Sequence, residues 1–282
     1  MVDDSCSGQI DSNLFQKILD EVAVGFEEQL RFTMDLMRHP SLRGQEHTAQ
    51  NFFYDALEAR GYEMDRWAIE VSEIENHPGF SPVKVDYENA LNVVGTHHPT
   101  EAKGRSLILN GHIDVVPTGP LDMWTRPPFE PHIAGDWLYG RGGADMKSGL
   151  CANVFALDAL RRLGFQPAAR VHVQSVTEEE CTGNGALSAL LRGYRAEAAL
   201  IPEPEENMLV RANAGVIWFR VHVRGRPFHV REAGRGSNAI EAAYTLMGAL
   251  KELEAEWNAR RADYPHFAEL DHPININVGK IA

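Results

Sequence analysis

The side chains able to do chemistry fall into four short clusters. Gly111-His112-Ile113-Asp114 follows the apolar run at 106–110. Residues two apart on a strand face the same side, so the Asp114 carboxylate could hold the His112 ring and leave its other nitrogen for a metal. With 12 histidines in the chain, a chance His-x-Asp is expected about as often as not, and the position at a strand end is what raises its weight. The second cluster, Gly140 to Gly149, is glycine-rich and opens a helical stretch. A phosphate-binding loop is one reading. It fails because Met146 stands before Lys147 where glycine is required, and because Asp145 would repel a phosphate. Two readings stay open: Asp145 as a plain helix cap, or as a metal-bridging carboxylate brought close by a permissive glycine backbone.

The third cluster is Thr177-Glu178-Glu179-Glu180, directly after the run VHVQSV. Three adjacent carboxylates at a strand end repel one another unless a cation lies among them. They read as an exposed acidic turn, or as a metal ligand and a general base beside it. The fourth is Glu203, stiffened between Pro202 and Pro204, where a turn or linker explains the residues equally well. Each cluster is weak alone. Together they end or follow successive strands, where open α/β sheets place their active sites.

The elements that must position these residues can be read from periodicity. Leu14, Ile18, Val22, Phe26 and Leu30 recur every four residues after a cap at Asp11 or Ser12, predicting a helix that ends near His39-Pro40. A second helix is expected from Glu46 to Arg60, stopped by Gly61. Strands are expected at Leu91–Val94, Leu107–Leu109, Val171–Val176 and Ala198–Ile201, with helices at Met146–Leu163 and Asn184–Leu191 between them. That alternation predicts an α/β layer structure with a mixed, largely parallel sheet flanked by helices. Near residue 213 the pattern restarts, with a strand at Val216–Val223, a helix at Ser237–Glu256 and a strand at Ile274–Ile281. The expected division is a catalytic, metal-binding domain at 1–212 and an incomplete α+β domain at 213–282.

Composition excludes several classes. A formal net charge of −13 repels phosphate backbones, so no nucleic-acid partner is expected. No apolar run reaches the roughly 20 residues of a membrane helix. The start, MVDDSCSGQI, lacks the basic and apolar regions of a signal peptide, so a cytoplasmic address is expected. Cys6, Cys151 and Cys181 are odd in number and far apart, which forms no disulfide framework and no thiolate metal site.

The stretches GHIDVVP at 111–117, GRGGADMKSG at 140–149, EEECTGNG at 178–185 and PEP at 202–204 together resemble the dinuclear zinc deacylases and peptidases. That family includes acetylornithine deacetylase, succinyl-diaminopimelate desuccinylase, aminoacylase and bacterial glutamate carboxypeptidase. The resemblance implies two zinc ions, with cobalt as a substitute. It implies His112 and Glu203 as ligands of one ion, Asp145 as the bridging carboxylate and Glu180 as a ligand of the second. Asp114 would orient His112, and Glu179 would be the general base. A one-residue shift within Glu178–Glu180 would exchange base and ligand. The restart near residue 213 resembles the family's ferredoxin-like lid, a dimerisation domain, with markers at Gly225, His229, Gly236 and Asn238. His229 would then steady an oxyanion in the partner subunit of a homodimer.

Family members continue well beyond ININVGKIA, and neither His266 nor His272 stands in the context of the last zinc ligand, so the chain reads as truncated. The implied activity is cleavage of the amide bond of a small N-acyl amino acid, acetylornithine deacetylase-like. Succinyl-diaminopimelate desuccinylase and aminopyrimidine deformylase are the alternatives. An inactive binding or dimerisation fragment is the non-enzyme alternative.

Overall fold

A computed structural model describes residues 11–83 and 85–281; the opening segment containing Cys6 lies outside the described residues. The first helix, α1 (Ser12–Met37), is capped by the Asp11 carboxylate, which accepts from the Leu14 amide at 3.3 Å. The stripe read at every fourth residue is not its buried face. Gly25, Thr33, Leu36 and Met37 are buried, whereas Phe26 is 54% exposed. A step of four residues overshoots one turn by about 40°, so a run of such steps winds onto the opposite side of the helix. α2 (His47–Glu58) is followed by a turn closed by the Gly61 amide on the Glu58 carbonyl.

The sheet strands are β1 (Glu63–Ala68), β2 (Leu91–His97), β3 (Leu107–His112), β6 (Val171–Val176) and β7 (Ala198–Leu200). The single helical turn α3 (Val71–Ile74) follows β1, and the hairpin β4 (His132–Ala134) and β5 (Trp137–Tyr139) lies apart from the sheet. The sheet order is β1-β2-β6-β3-β7. β1–β2 and β2–β6 pair antiparallel, whereas β6–β3 and β3–β7 pair parallel, so the sheet is mixed. Its central strand β6 is buried at all six positions, as a strand covered on both faces must be.

α4 (Ser148–Arg162), α1 and α2 cover one face, burying Leu36, Phe53, Leu57, Leu150, Val154 and Phe155 against Val93, Leu109 and Val173. On the other face Trp67, Val94 and Val176 pack with Ala189 of α5 (Asn184–Leu191). β1 is absent from the sequence reading because EMDRWA has no apolar run. It is an edge strand that buries only Trp67, and charged residues keep such edges from pairing further.

The chain divides into two compact units, one ending at Glu206 and the other starting at Asn207. The second unit contains α6 (Ala239–Ala259), capped by Asn238, whose side chain accepts from the Ile240 amide. Glu254 of α6 accepts from Lys251 and the Ile276 amide, and Asn258 donates to the Ile274 carbonyl, tying the 272–276 segment to the helix. The expected strands at Val216–Val223 and Ile274–Ile281 do not form. A strand exists only through ladder bonds to a neighbour, and neither segment has one among the described residues. Val216, Ile217 and Trp218 are accordingly 77–85% exposed. No described helix is long and apolar enough to cross a membrane.

α5 can approach the end of β6 only because Gly185 carries no side chain. A Cβ there would lie 1.9 Å from the Thr177 carbonyl oxygen. Gly185→Ala should therefore destabilise the protein by about 1–3 kcal/mol, as overpacked sites do. A urea midpoint equal to that of the unsubstituted protein would show that the approach is looser than described.

Candidate metal centre

Because β3, β6 and β7 are parallel neighbours, their carboxyl ends share one rim of the sheet. β3 delivers His112, and the segment after it delivers Asp114. The turn after β6 carries Glu178–Glu180, and Glu203 follows β7. Asp145 arrives differently. It sits in the tight turn Gly143–Lys147 that leads from the β4–β5 hairpin into α4, with extended backbone angles and a cis peptide to Met146. The helix expected from Met146 starts at Ser148, because Asp145 and Met146 have non-helical backbone angles. Gly149, in the first turn of α4, allows the Pro202 carbonyl within 2.3 Å of where a Cβ would stand, so this helix and the Glu203 loop abut.

His112 is buried. Its Nε2 lies 3.0 Å from Asp145 Oδ1, 3.7 Å from Glu203 Oε1 and 3.8 Å from Glu179 Oε2. His112, Asp145 and Glu203 each offer a ligand atom within 4.8 Å of the others. The carboxyls of Glu179 and Glu180 lie outside that group of three. The expected grip of the Asp114 carboxylate on the ring is made by its main chain instead. His112 Nδ1 pairs with the Asp114 carbonyl at 2.8 Å, and the carboxylate stands 3.6 Å away. A carbonyl only accepts, so Nδ1 carries a proton; the bond to Asp145 then needs a second proton on Nε2, and a neutral ring would instead present the Nε2 lone pair to a metal ion. The Asp114 carboxylate meanwhile accepts from the amides of Glu179 at 3.3 Å and Glu180 at 3.1 Å.

Glu178, by contrast, is taken out of the site. Its buried carboxylate is gripped by Arg43 Nε and Nη2, each at 2.6 Å, by the Tyr87 hydroxyl at 2.6 Å and by Thr182 Oγ1 at 3.0 Å. Of the three consecutive acids, Glu179 is the one whose carboxylate stands within 4 Å of the imidazole, 3.8 Å from His112 Nε2. Glu178 has φ +67°, a conformation that costs a non-glycine residue about 1–3 kcal/mol. Arg43 and Tyr87 escaped the sequence reading. The available signal was electrostatic, because three consecutive acids require a counter-charge from elsewhere in the chain. Lys147, weighed as a phosphate ligand, is buried and donates to the carbonyls of Leu36 and His39 at the end of α1, which removes the phosphate-loop reading.

The electrostatics follow from crowding. Burial alone would lower the His112 pKa. The hydrogen bond to Asp145 and the charges of Asp114, Glu203 and Glu179 outweigh it and push the pKa up to about 9. Burial, with Asp145, Glu179 and Glu180 nearby, raises Glu203 to about 7 against the opposing pull of His112. Burial likewise raises Asp114 to about 6, and burial followed by the Asp145 charge raises Glu180. Asp145 is held below its ordinary value, chiefly by the bond from His112. One imidazole nitrogen and clustered carboxylate oxygens suit a divalent ion such as zinc. Such a charge would offset the same crowding that raises His112 and Glu203.

His229 belongs to the second unit. Its ring is exposed, and its Nδ1 accepts from the Arg231 amide at 3.2 Å.

Comparison with known proteins agrees with this architecture. Among solved structures, a tripeptidase from Staphylococcus aureus superposes with a TM-score of 0.50 at 21% identity, over 79% of this chain and 56% of that one. The fold is that of a peptidase with a mixed, helix-flanked sheet. A family model described as peptidase family M20/M25/M40 matches residues 108–275, more than half of the chain. The chain belongs to that family. An N-formyl-4-amino-5-aminomethyl-2-methylpyrimidine deformylase from Halalkalibacterium halodurans is 30% identical over 284 aligned positions, covering 95% of this chain and 62% of the relative. A succinyl-diaminopimelate desuccinylase from Dechloromonas aromatica is 36% identical over 162, covering 54% of this chain and 42% of that one. The chain thus spans less than two thirds of the length of these relatives.

Since His112 holds a proton up to about pH 9 and Glu203 up to about pH 7, a cation must displace protons to bind. Zinc affinity should rise with pH across the neutral range and level off above about 9. Calorimetry in buffers of different ionisation enthalpy should detect proton release at pH 7. Binding without proton release would place the ion elsewhere.

Proposed function

We propose that this chain carries the metal-binding part of an M20-family hydrolase that cleaves the amide bond of a small N-acylated amine. The observation that carries this reading is the convergence of His112, Asp145 and Glu203, with Glu179 3.8 Å from the same imidazole nitrogen. His112 and Glu203 would hold one zinc ion, Asp145 would bridge to a second, and Glu180 would serve the second, cobalt substituting for zinc in either place. A bound divalent ion supplies Lewis acidity for an amide carbonyl and acidifies water within the site.

Glu179 is assigned as the general base. It is half exposed, sits on a turn fixed by the Asp114 carboxylate, and is free of the clamp that immobilises Glu178. Its carboxylate takes a proton from the attacking water and returns it to the departing amine nitrogen. His229 is assigned as an oxyanion donor acting across a homodimer. With Nδ1 accepting from Arg231, the neutral ring carries its proton on Nε2 and presents a donor.

The acyl group follows the relatives' names no further than a short list. Formyl and succinyl amides have as much support as the acetylornithine expectation, and a panel of all three classes is the appropriate assay. Glu179→Gln should keep its metal content while turnover falls about 10²- to 10⁴-fold, the usual contribution of a general base. Metal analysis beside turnover on that panel checks this. Full activity in the variant would remove Glu179 from the mechanism.

A further inference from the structure

The turn that carries Glu179 and Glu180 is held from outside the site. Arg43 lies in the segment after α1. Ser41 of that segment donates its hydroxyl to the Ile113 carbonyl at 2.6 Å and accepts from the Val115 amide at 3.0 Å, so the segment runs beside the chain between His112 and Val115. From there the Arg43 guanidinium reaches Glu178 through two parallel bonds of 2.6 Å, the geometry in which a guanidinium and a carboxylate match most closely. Tyr87, in the segment before β2, adds a third bond, and its hydroxyl accepts in turn from Asn184 Nδ2 at 3.1 Å. Asn184 also exchanges bonds with the Ser81 main chain in both directions. Two stretches distant in sequence, 41–43 and 81–87, therefore meet on one buried carboxylate.

That carboxylate belongs to the residue with φ +67°, immediately before Glu179, whose carboxylate stands 3.8 Å from His112 Nε2, and Glu180. The next two amides point at Asp114 only because the chain reverses there. Without Arg43 the buried Glu178 carboxylate would be left without its counter-charge, and the reversal would lose its anchor. Among the described residues, no side chain of this network bonds to the imidazole or to the acids that converge on it.

We propose that Arg43 and Glu178 form a positioning pair that sets the orientation of Glu179 and Glu180, acting through the backbone turn and not through contact with substrate or metal. This rests on the hydrolase reading for its kinetic consequences but not for its effect on metal affinity. Arg43→Met leaves Glu178 buried and unpaired. Glu178→Gln removes the charge that needs Arg43 while keeping an acceptor for Tyr87 and Thr182, so the double variant should regain what the single one loses.

The test measures cobalt affinity by titration, thermal midpoint, and kcat and KM for an amide that the unsubstituted enzyme cleaves, in all three proteins. Arg43→Met should lose about 10- to 100-fold in cobalt affinity and in kcat, with KM little changed, as loss of an outer partner of a metal site does. Arg43→Met/Glu178→Gln should recover most of both. The proposal is overturned if Arg43→Met matches the unsubstituted protein. It is overturned equally if only the thermal midpoint falls, or if KM rises and the double variant is not rescued, since the latter makes Arg43 a substrate contact. Absence of hydrolysis by the unsubstituted protein, with the cobalt pattern intact, would sink the hydrolase reading and leave the positioning pair standing.

Discussion

Mutual repulsion among carboxylates is the constraint on which the rest of this structure depends. Asp145, Glu179 and Glu203 are held within 4 Å of a single buried imidazole nitrogen, and Asp114 lies behind the same ring. Like charges brought this close must be offset by a cation or by protons. The same crowding raises the pKa of His112 to about 9 and that of Glu203 to about 7, well above their ordinary ranges. Structural acids elsewhere in the protein are handled differently. Glu178 has Arg43, Asp158 has Arg60 and Asp65 has Arg192, each at bonding distance from a guanidinium.

The fold is the means of enforcing that crowding. Three parallel strands bring their carboxyl ends to a common rim, and the segments leaving them must turn within a few residues of the same point. Each turn is secured by a different local device. Glu178 adopts a left-handed conformation under four hydrogen bonds, Asp114 accepts two consecutive amides, and Gly149 lets the Glu203 loop lie against the start of α4. Lys147 fastens that helix start to the carbonyls of Leu36, in the last turn of α1, and His39, just beyond it.

Much of this was legible in the sequence because strong local patterns were present. β6 and α5 occur at the residues their apolar runs and polar boundaries indicate, and the cap at Asp11 is present. His112 and Glu203 could be singled out because they follow apolar runs, and Asp145 because it sits in a glycine-rich stretch that opens a helix. Elements defined by their partners were not legible. β1 exists through its pairing with β2, and the last residues of β3, Asn110 to His112, are strand because β6 lies alongside. The 216–223 run has a strand's alternation but, among the described residues, no neighbour to complete it. The same limit applied within the site. That the Asp114 main chain would hold the imidazole, and that Arg43 would claim Glu178, are facts of three-dimensional proximity between segments up to 135 positions apart.

The central claim is that the acids converge to hold a metal ion, and diffraction from zinc-loaded crystals measured on both sides of the zinc absorption edge tests it most directly. The account predicts an anomalous peak bounded by His112, Asp145 and Glu203, lost when Asp145 is replaced by alanine. Zinc bound only away from these residues, or an unaltered peak in the Asp145→Ala protein, would contradict it.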